Sequence, residues 1–155
     1  MFRLDYSRRV LRLPPRKVLD LDWETTLNKL ARHRQLAFIE QDGRCYYCHC
    51  VMWRAQELDV FCERFSLTRR QALQLRCTAE HVTARCDGGR DGSHNIVAAC
   101  LRCNRGRHGR KNPYDPKAFV GYVQGRIAQR KWHDIDVRDR GLLSGERHTG
   151  DARHA

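Results

Sequence analysis

The pattern of hydrophobic and polar positions predicts helices on either side of a middle region with two short strands. Apolar side chains recur near helical spacing from Trp23 to about Asp42. Asp22 is a suitable N-cap for this helix, and Gly43 would end it. Residues 51–76 are predicted to form a helical insert in separate pieces.

Two runs in the middle of the chain have the short, apolar character of strands. They cover residues 78–82 and 95–99, and the glycine-rich segment 87–92 between them must be a loop. A helix is predicted to begin near Leu101, and residues 117–132 form a further helix with an apolar face. This order of elements predicts a small α+β fold with flanking helices.

The two ends of the chain differ in composition from the middle. Residues 1–22 are rich in arginine and contain two consecutive prolines, which cannot lie inside a helix, so a basic extended arm is predicted. Residues 133–155 are polar and are predicted to form a disordered tail. One domain is therefore expected over residues 23–132, with its core at 45–111.

The charge of the chain favours a nucleic-acid partner. Its 155 residues include 30 Lys and Arg and 18 Asp and Glu, which gives a formal net charge of +12. Such a basic surface is expected to bind a polyanion, of which nucleic acid is the commonest. No apolar run is long enough for a transmembrane helix or a signal peptide, so we expect a cytoplasmic protein.

Eight cysteines in a chain without an export signal favour metal ligation over disulfides. Two C-x-x-C pairs can each present two thiolates from a tight turn, and together they complete a tetrahedral structural zinc site. The predicted zinc ligands are Cys45, Cys48, Cys100 and Cys103. Because 51 residues (49–99) separate the pairs, they must enclose a folded insert. The zinc ion would supply folding energy and leave no position open for chemistry.

Redox activity and simple burial are the alternatives for these thiols. A redox C-x-x-C pair should lie near a βαβ pattern, which this sequence lacks. Cys50 could replace Cys48 as a zinc ligand. The cysteines without paired spacing are interpreted as buried or incidental thiols: Cys50, Cys62, Cys77 and Cys86. Several histidines are interpreted as surface residues: His33, His49, His94, His133, His148 and His154.

A polar motif lies between and just after the two cysteine pairs. Glu80 and His81 are adjacent at a predicted strand end, Asn95 follows fourteen residues after His81, and Asn104 follows nine residues later. Together with the glycine pair in the loop and the cysteines, these residues resemble the HNH (ββα-metal) endonuclease family in its four-cysteine, zinc-knuckle type. The resemblance covers residues 45–111.

The resemblance implies a ββα-metal core and a role for each residue of the motif. His81 matches the family's general base, which takes a proton from the attacking water, and Asn95 matches the residue that orients this base. Glu80 matches an acidic ligand of a catalytic divalent cation, Mg²⁺ or Mn²⁺, where the family usually has aspartate. Asn104 matches a second ligand, and His108 is placed for the histidine that some relatives use instead.

The chemistry of the side chains agrees with these roles. A neutral imidazole accepts a proton near pH 7, and a hard cation prefers oxygen ligands. Because adjacent side chains of a regular strand point to opposite faces, a bent strand end or a bulge is required for Glu80 and His81 to serve one site. Five nearby cations are expected to contact phosphates: Arg102, Arg105, Arg107, Arg110 and Lys111.

We therefore expect a metal-dependent HNH endonuclease that hydrolyses phosphodiester bonds in DNA with water activated by His81. The alternative is a zinc-ribbon module that binds nucleic acid and has an inactive nuclease site. A module of that kind has no reason to keep the full set of polar residues. Charge and motif fit RNA as well as DNA, and they fit a monomer as well as a homodimer.

Overall fold

The computed structural model describes residues 28–143. The predicted basic arm and residues 144–155 lie outside the described residues. Within the described range, no helix is long and apolar enough to cross a membrane. The helices and strands, in chain order, are α1 (Lys29–Glu40), α2 (Leu58–Phe65), α3 (Arg69–Leu73), β1 (Cys77–His81), β2 (Ile96–Cys100), α4 (Leu101–His108) and α5 (Pro116–Ala128).

The two strands form an antiparallel hairpin at the centre of the fold. Cys77 pairs with Cys100 at one end and His81 pairs with Ile96 at the other, in continuous register. Helices α1 and α4 contact both strands. The predicted α+β class is therefore confirmed, and the order β1, β2, α4 is that of a ββα unit.

Helix α1 begins later than the apolar spacing predicted. Its N-cap is Asn28, where the backbone is extended and the side-chain oxygen accepts a hydrogen bond from the Ala31 amide at 2.9 Å. A capping residue within the apolar pattern therefore starts this helix, and the predicted start at Trp23 lies outside the described residues. Gly43 ends it as expected, with φ of 71° and its amide bonded to the Phe38 carbonyl.

The insert between the cysteine pairs consists of α2 and α3, joined at a left-handed Ser66. Thr68 caps α3 in a reciprocal capping box with Gln71. Aromatic and aliphatic side chains of this insert join the core, and the Trp53 indole donates to the Ala72 carbonyl at 2.6 Å. The insert is thus a packed part of the domain.

Helix α5 and the residues after it complete the core. Asp115 caps α5 by accepting from the Lys117 and Ala118 amides, and the helix ends at Ala128, before the predicted Trp132. Trp132 packs against α4 so closely that a Cβ on Gly106 would lie 2.9 Å from its ring. A glycine is therefore required at this point of contact.

Residues 133–143 are not the disordered tail that their polarity predicted. Val137 and Leu142 are buried, and the Leu142 carbonyl accepts from the Val51 amide at 2.9 Å. His133, predicted to be on the surface, is buried as well. The segment is polar on average, but it contains single apolar side chains. Their burial holds the segment against the core.

Gln41 extends the hairpin from outside the sheet. Its side-chain amide donates to the Ala98 carbonyl at 2.8 Å and accepts from the Ala98 amide at 2.9 Å, as a neighbouring strand would. A further bond from the same nitrogen reaches the Arg44 carbonyl at 2.7 Å. One side chain therefore satisfies polar backbone groups on the open edge of β2.

Replacement of Gln41 by alanine is expected to lower the free energy of unfolding by about 1–3 kcal/mol, because it leaves the buried Ala98 amide without its hydrogen-bond acceptor. Gln35→Ala, on the same helix, is the matched control and is expected to change this energy by less than about 0.5 kcal/mol. Urea unfolding of both variants checks the prediction. Equal stability of the two variants would contradict the role of Gln41.

Candidate active site and zinc centre

Four buried cysteines meet between the first turn after α1 and the junction of β2 with α4. The sulfur atoms of all four lie within 4.8 Å of one another, and the Cys48 and Cys100 sulfurs are 3.8 Å apart. Tetrahedral zinc with Zn–S bonds of about 2.3 Å places its sulfurs about 3.8 Å apart. The four predicted ligands, Cys45, Cys48, Cys100 and Cys103, thus have the positions that a structural zinc ion requires.

Local backbone structure presents these sulfurs. The first pair lies in a closed turn, in which the Cys45 amide donates to the Cys50 carbonyl and the His49 amide to the Cys45 carbonyl, both at 3.0 Å. Cys100 is the N-cap of α4, and its sulfur accepts from the Cys103 amide at 3.4 Å. A helix start thus brings the second pair together.

Without a cation, the four thiols do not favour a common charge state. Burial raises the pKa of Cys48, Cys100 and Cys103 well above the ordinary value. Burial acts in the same direction on Cys45, but hydrogen bonds from neighbouring cysteine side chains outweigh it and hold the Cys45 pKa well below the ordinary value. A zinc ion would supply the positive charge that keeps all four as thiolates.

The remaining cysteines lie outside this cluster. Cys50 is buried beside His133, so the structure places Cys48 and not Cys50 among the four. Cys77 is buried in β1, and burial raises its pKa to about 12. Cys62 is half-buried and Cys86 is exposed. None of the last three belongs to a group of metal-ligating side chains within residues 28–143.

Glu80 is the centre of a buried polar network on the α4 side of the hairpin. It is 1 % exposed, and its carboxylate accepts from the Tyr47 hydroxyl at 2.8 Å and from the Arg107 guanidinium at 2.6 Å. The His108 Nε2 atom lies 2.9 Å from Oε2 of the same carboxylate. Burial, followed by the Glu80 charge, raises the pKa of Tyr47, which keeps its hydroxyl a donor.

His81 lies on the other face of β1. The register is regular through this residue, so the bend or bulge expected between Glu80 and His81 is absent and their side chains diverge. The His81 Nε2 atom lies 2.7 Å from Asp91 Oδ1, and Arg85 pairs with both Asp91 oxygens at 2.8 and 2.9 Å. These three side chains form a second polar cluster at the strand end.

The Asp91 carboxylate determines which nitrogen of His81 carries the proton. A carboxylate only accepts, so Nε2 must be the donor at 2.7 Å, and the 3.2 Å contact from Arg85 Nε to the same atom cannot also be a hydrogen bond. The hydrogen bond with His81, supported by Arg85, holds the pKa of Asp91 below its ordinary value. The Nδ1 atom of neutral His81 is therefore the one with a free electron pair.

The two predicted asparagines make structural hydrogen bonds. Asn95 is buried and bonds to the Thr83 amide and carbonyl and to the Arg90 carbonyl at 2.7–3.0 Å, which braces the loop between the strands. Asn104 donates to the Thr78 hydroxyl and the Ala79 carbonyl at 3.0 and 2.9 Å. The structure thus brings His108, rather than Asn104, into contact with the Glu80 carboxylate.

The predicted basic cluster divides into one buried and four accessible cations. Arg107 is 4 % exposed and uses its donors on Glu80 and on backbone carbonyls of His81, Val82 and Tyr114. The expectation that it contacts phosphates is therefore wrong, because its helical position faces the hairpin. Arg102 and Arg105 line a cleft of about 500 Å³ that also contains Arg70 and Arg76, among others.

Three residues of these networks were not identified from the sequence. Tyr47 lies between the first two cysteines, and its hydroxyl contacts Glu80 because of the turn that this cysteine pair forms. Asp91 is part of the predicted loop 87–92 and has no further role in the sequence analysis, and Arg85 has none at all. An acidic residue ten positions after a candidate base is the one signal that pointed to Asp91.

Replacement of Cys103 by serine is expected to abolish zinc binding by the cluster and cooperative folding. Structural zinc sites contribute about 10–16 kcal/mol, most of which depends on a complete ligand set. Cys86→Ser, at an exposed cysteine, is the control and should keep wild-type zinc content. Metal analysis and thermal unfolding measure both effects. A folded C103S protein with wild-type zinc content would contradict the assignment.

Comparison with known proteins agrees with the geometry of the hairpin and α4. Residues 62–110 match the family model described as HNH endonuclease, and this segment contains β1, β2, α4 and the polar residues at both faces of the hairpin. Comparisons with curated proteins and with solved structures found no match. The resemblance inferred from the sequence is therefore confirmed by a family model that matches residues 62–110.

Proposed function

We propose that the protein is a metal-dependent endonuclease that hydrolyses phosphodiester bonds in DNA. The HNH segment indicates a nuclease. The hydrolytic mechanism is supported by the short contact between His81 and the ionised Asp91, which orients one imidazole nitrogen as a base. The buried Glu80 of β1 and the half-exposed His108 of α4 form a second pair of polar side chains, which is suited to bind a cation.

His81 acts as the general base in this proposal. Its Nε2–H donates to Asp91, so Nδ1 accepts the proton of a water molecule that attacks phosphorus. The carboxylate also stabilises the imidazolium that forms when the proton arrives. Asn95 keeps the loop that carries Asp91 in place through its bond to the Arg90 carbonyl.

Glu80 and His108 fit a single divalent cation. Glu80 Oε2 and His108 Nε2 lie 2.9 Å apart. The Glu80 side chain is 1 % exposed and that of His108 is 36 % exposed, so an ion would approach from the His108 side. One carboxylate and one imidazole suit Mn²⁺ at least as well as Mg²⁺. Because His81 lies on the other strand face, the substrate has to contact both faces at the strand end for a bound ion to neutralise charge on the scissile phosphate and on the leaving oxygen. Asn104 would then stabilise β1 through its hydrogen bonds to Thr78 and Ala79 and would not bind the ion.

The accessible arginines and lysine provide the electrostatic attraction for a nucleic acid. Arg102 and Arg105 are exposed on α4, and the Arg110 guanidinium lies over the rings of Tyr114 and Tyr122 at 5.0 and 4.6 Å. Lys111 is exposed just after the helix. Contacts of this kind fix a phosphate backbone in position and do not read its sequence.

One observation favours a second candidate, a nucleic-acid-binding module with an inactive nuclease site. Glu80 is already paired with Arg107 in a buried ion pair, and it lies on the opposite strand face from His81. Such an arrangement serves the stability of the hairpin without any cation. In that case the wild-type protein would retain DNA and cleave none with any divalent ion.

Replacement of His81 by alanine is expected to lower the rate of plasmid nicking about 100-fold or more, because the general base is lost. His94→Ala is the matched control, since this nearby histidine is exposed, and it should cleave at the wild-type rate. Nicking of supercoiled plasmid with Mn²⁺ and DNA binding by fluorescence anisotropy are measured together. Full cleavage by H81A would refute the assigned role.

Replacement of Asp91 by asparagine is expected to lower kcat at least about 10-fold with little change in KM. The amide can donate to Nε2, which stabilises the tautomer whose Nδ1 carries the proton and cannot act as base. Asp87→Asn, at an exposed aspartate of the same loop, should leave both constants unchanged. A fall in KM and kcat shared by both variants would instead indicate a general disturbance of the loop.

A further inference from the structure

A second group of buried metal-ligating side chains lies beside the four-cysteine cluster and shares one residue with it. The ligand atoms of Cys48, Cys50 and His133 lie within 4.8 Å of one another, and all three residues are buried. We propose that this group binds a second zinc ion, and that the Cys48 thiolate bridges the two ions.

The distances within the group fit a zinc ion. Cys50 Sγ lies 3.9 Å from His133 Nε2. A thiolate at about 2.3 Å and an imidazole nitrogen at about 2.1 Å from one tetrahedral zinc are about 3.6 Å apart. Side-chain shifts of a few tenths of an ångström would therefore complete the coordination, and a water molecule would be the fourth ligand.

The backbone holds the three ligands together from two distant parts of the chain. His49, between Cys48 and Cys50, has a left-handed φ of 58°, within the turn that the Cys45 amide closes on the Cys50 carbonyl. On the other side, the Trp132 indole donates to the Cys103 sulfur at 3.2 Å. This contact anchors the segment that carries His133 directly beside the first cluster.

The protein itself offers these side chains few partners. Among residues 28–143, the Cys50 thiol has only long contacts, 3.7 Å to the Cys48 carbonyl and 3.9 Å to the imidazole. The Nδ1 atom of His133 is buried without a hydrogen-bond partner among the described residues. Burial of polar groups is unfavourable unless they are paired. A zinc bond at the other ring nitrogen, Nε2, would give that atom a strong partner in place of its 3.9 Å contact with Cys50.

The charge balance also favours a second ion. One Zn²⁺ with four thiolates leaves the buried centre with a charge of −2. The second Zn²⁺ brings two positive charges, and Cys50 releases its thiol proton to solvent and adds one negative charge, so the centre carries −1. A smaller net charge lowers the cost of burying the cluster.

The number of zinc ions on the full chain tests the proposal. Native mass spectrometry after dialysis against buffered, micromolar zinc is expected to find two zinc ions on the wild-type chain. Cys50→Ala and His133→Gln should each reduce the number to one, while Cys86→Ala, at an exposed cysteine, should keep two. Circular dichroism shows whether each variant is folded.

A wild-type chain that takes up one zinc ion at every zinc concentration would overturn the proposal. Two ions on both folded variants would overturn it as well. The number of zinc ions on the wild-type chain is measured without any substitution. The proposal can therefore be tested even where a variant does not fold. Because the readout is the mass of the bound metal, failure of this proposal is distinct from an absence of nuclease activity.

Discussion

The fold depends on the meeting of two cysteine pairs that are 51 residues apart (49–99). Cys45 and Cys48 lie in the turn after α1, whereas Cys100 and Cys103 lie where β2 becomes α4. The loop that this contact closes contains the whole helical insert and the hairpin. A small domain gains most from a metal that joins distant segments, because its apolar core alone contributes little beyond the entropy of the chain.

The hairpin presents different chemistry on its two faces because its register is regular. Glu80 points to α4, where Arg107, Tyr47 and His108 compensate its buried charge. His81 points to the loop, where Asp91 orients it. Arg107 also donates to the His81 carbonyl at 2.9 Å. One side chain therefore binds both the Glu80 carboxylate and the backbone of His81 at the strand end.

The sequence predicted the strands within one residue and the four clustered cysteines, because turn residues and paired spacings are local signals. It also predicted that α4 begins near Leu101, between the last two predicted zinc ligands. It missed the packing of Val137 and Leu142, since isolated apolar residues in a polar segment give no periodicity. The burial of Arg107 was missed for a related reason: its side chain faces the hairpin only because of how α4 packs, which its own neighbours in sequence do not reveal.

The hydrogen bond between Tyr47 and Glu80 links the turn of the first cysteine pair to the proposed active site. Tyr47 is held between two cysteine ligands, and its hydroxyl lies 2.8 Å from the Glu80 carboxylate. A chelator that extracts zinc from this cluster would therefore disturb Glu80, although the proposed mechanism gives that zinc no part in hydrolysis. Inhibition by a strong chelator reports on both metals at once. Because loss of zinc from the four-cysteine cluster is expected to abolish cooperative folding, Mn²⁺ alone would restore cleavage only after a chelation mild enough to leave that zinc bound.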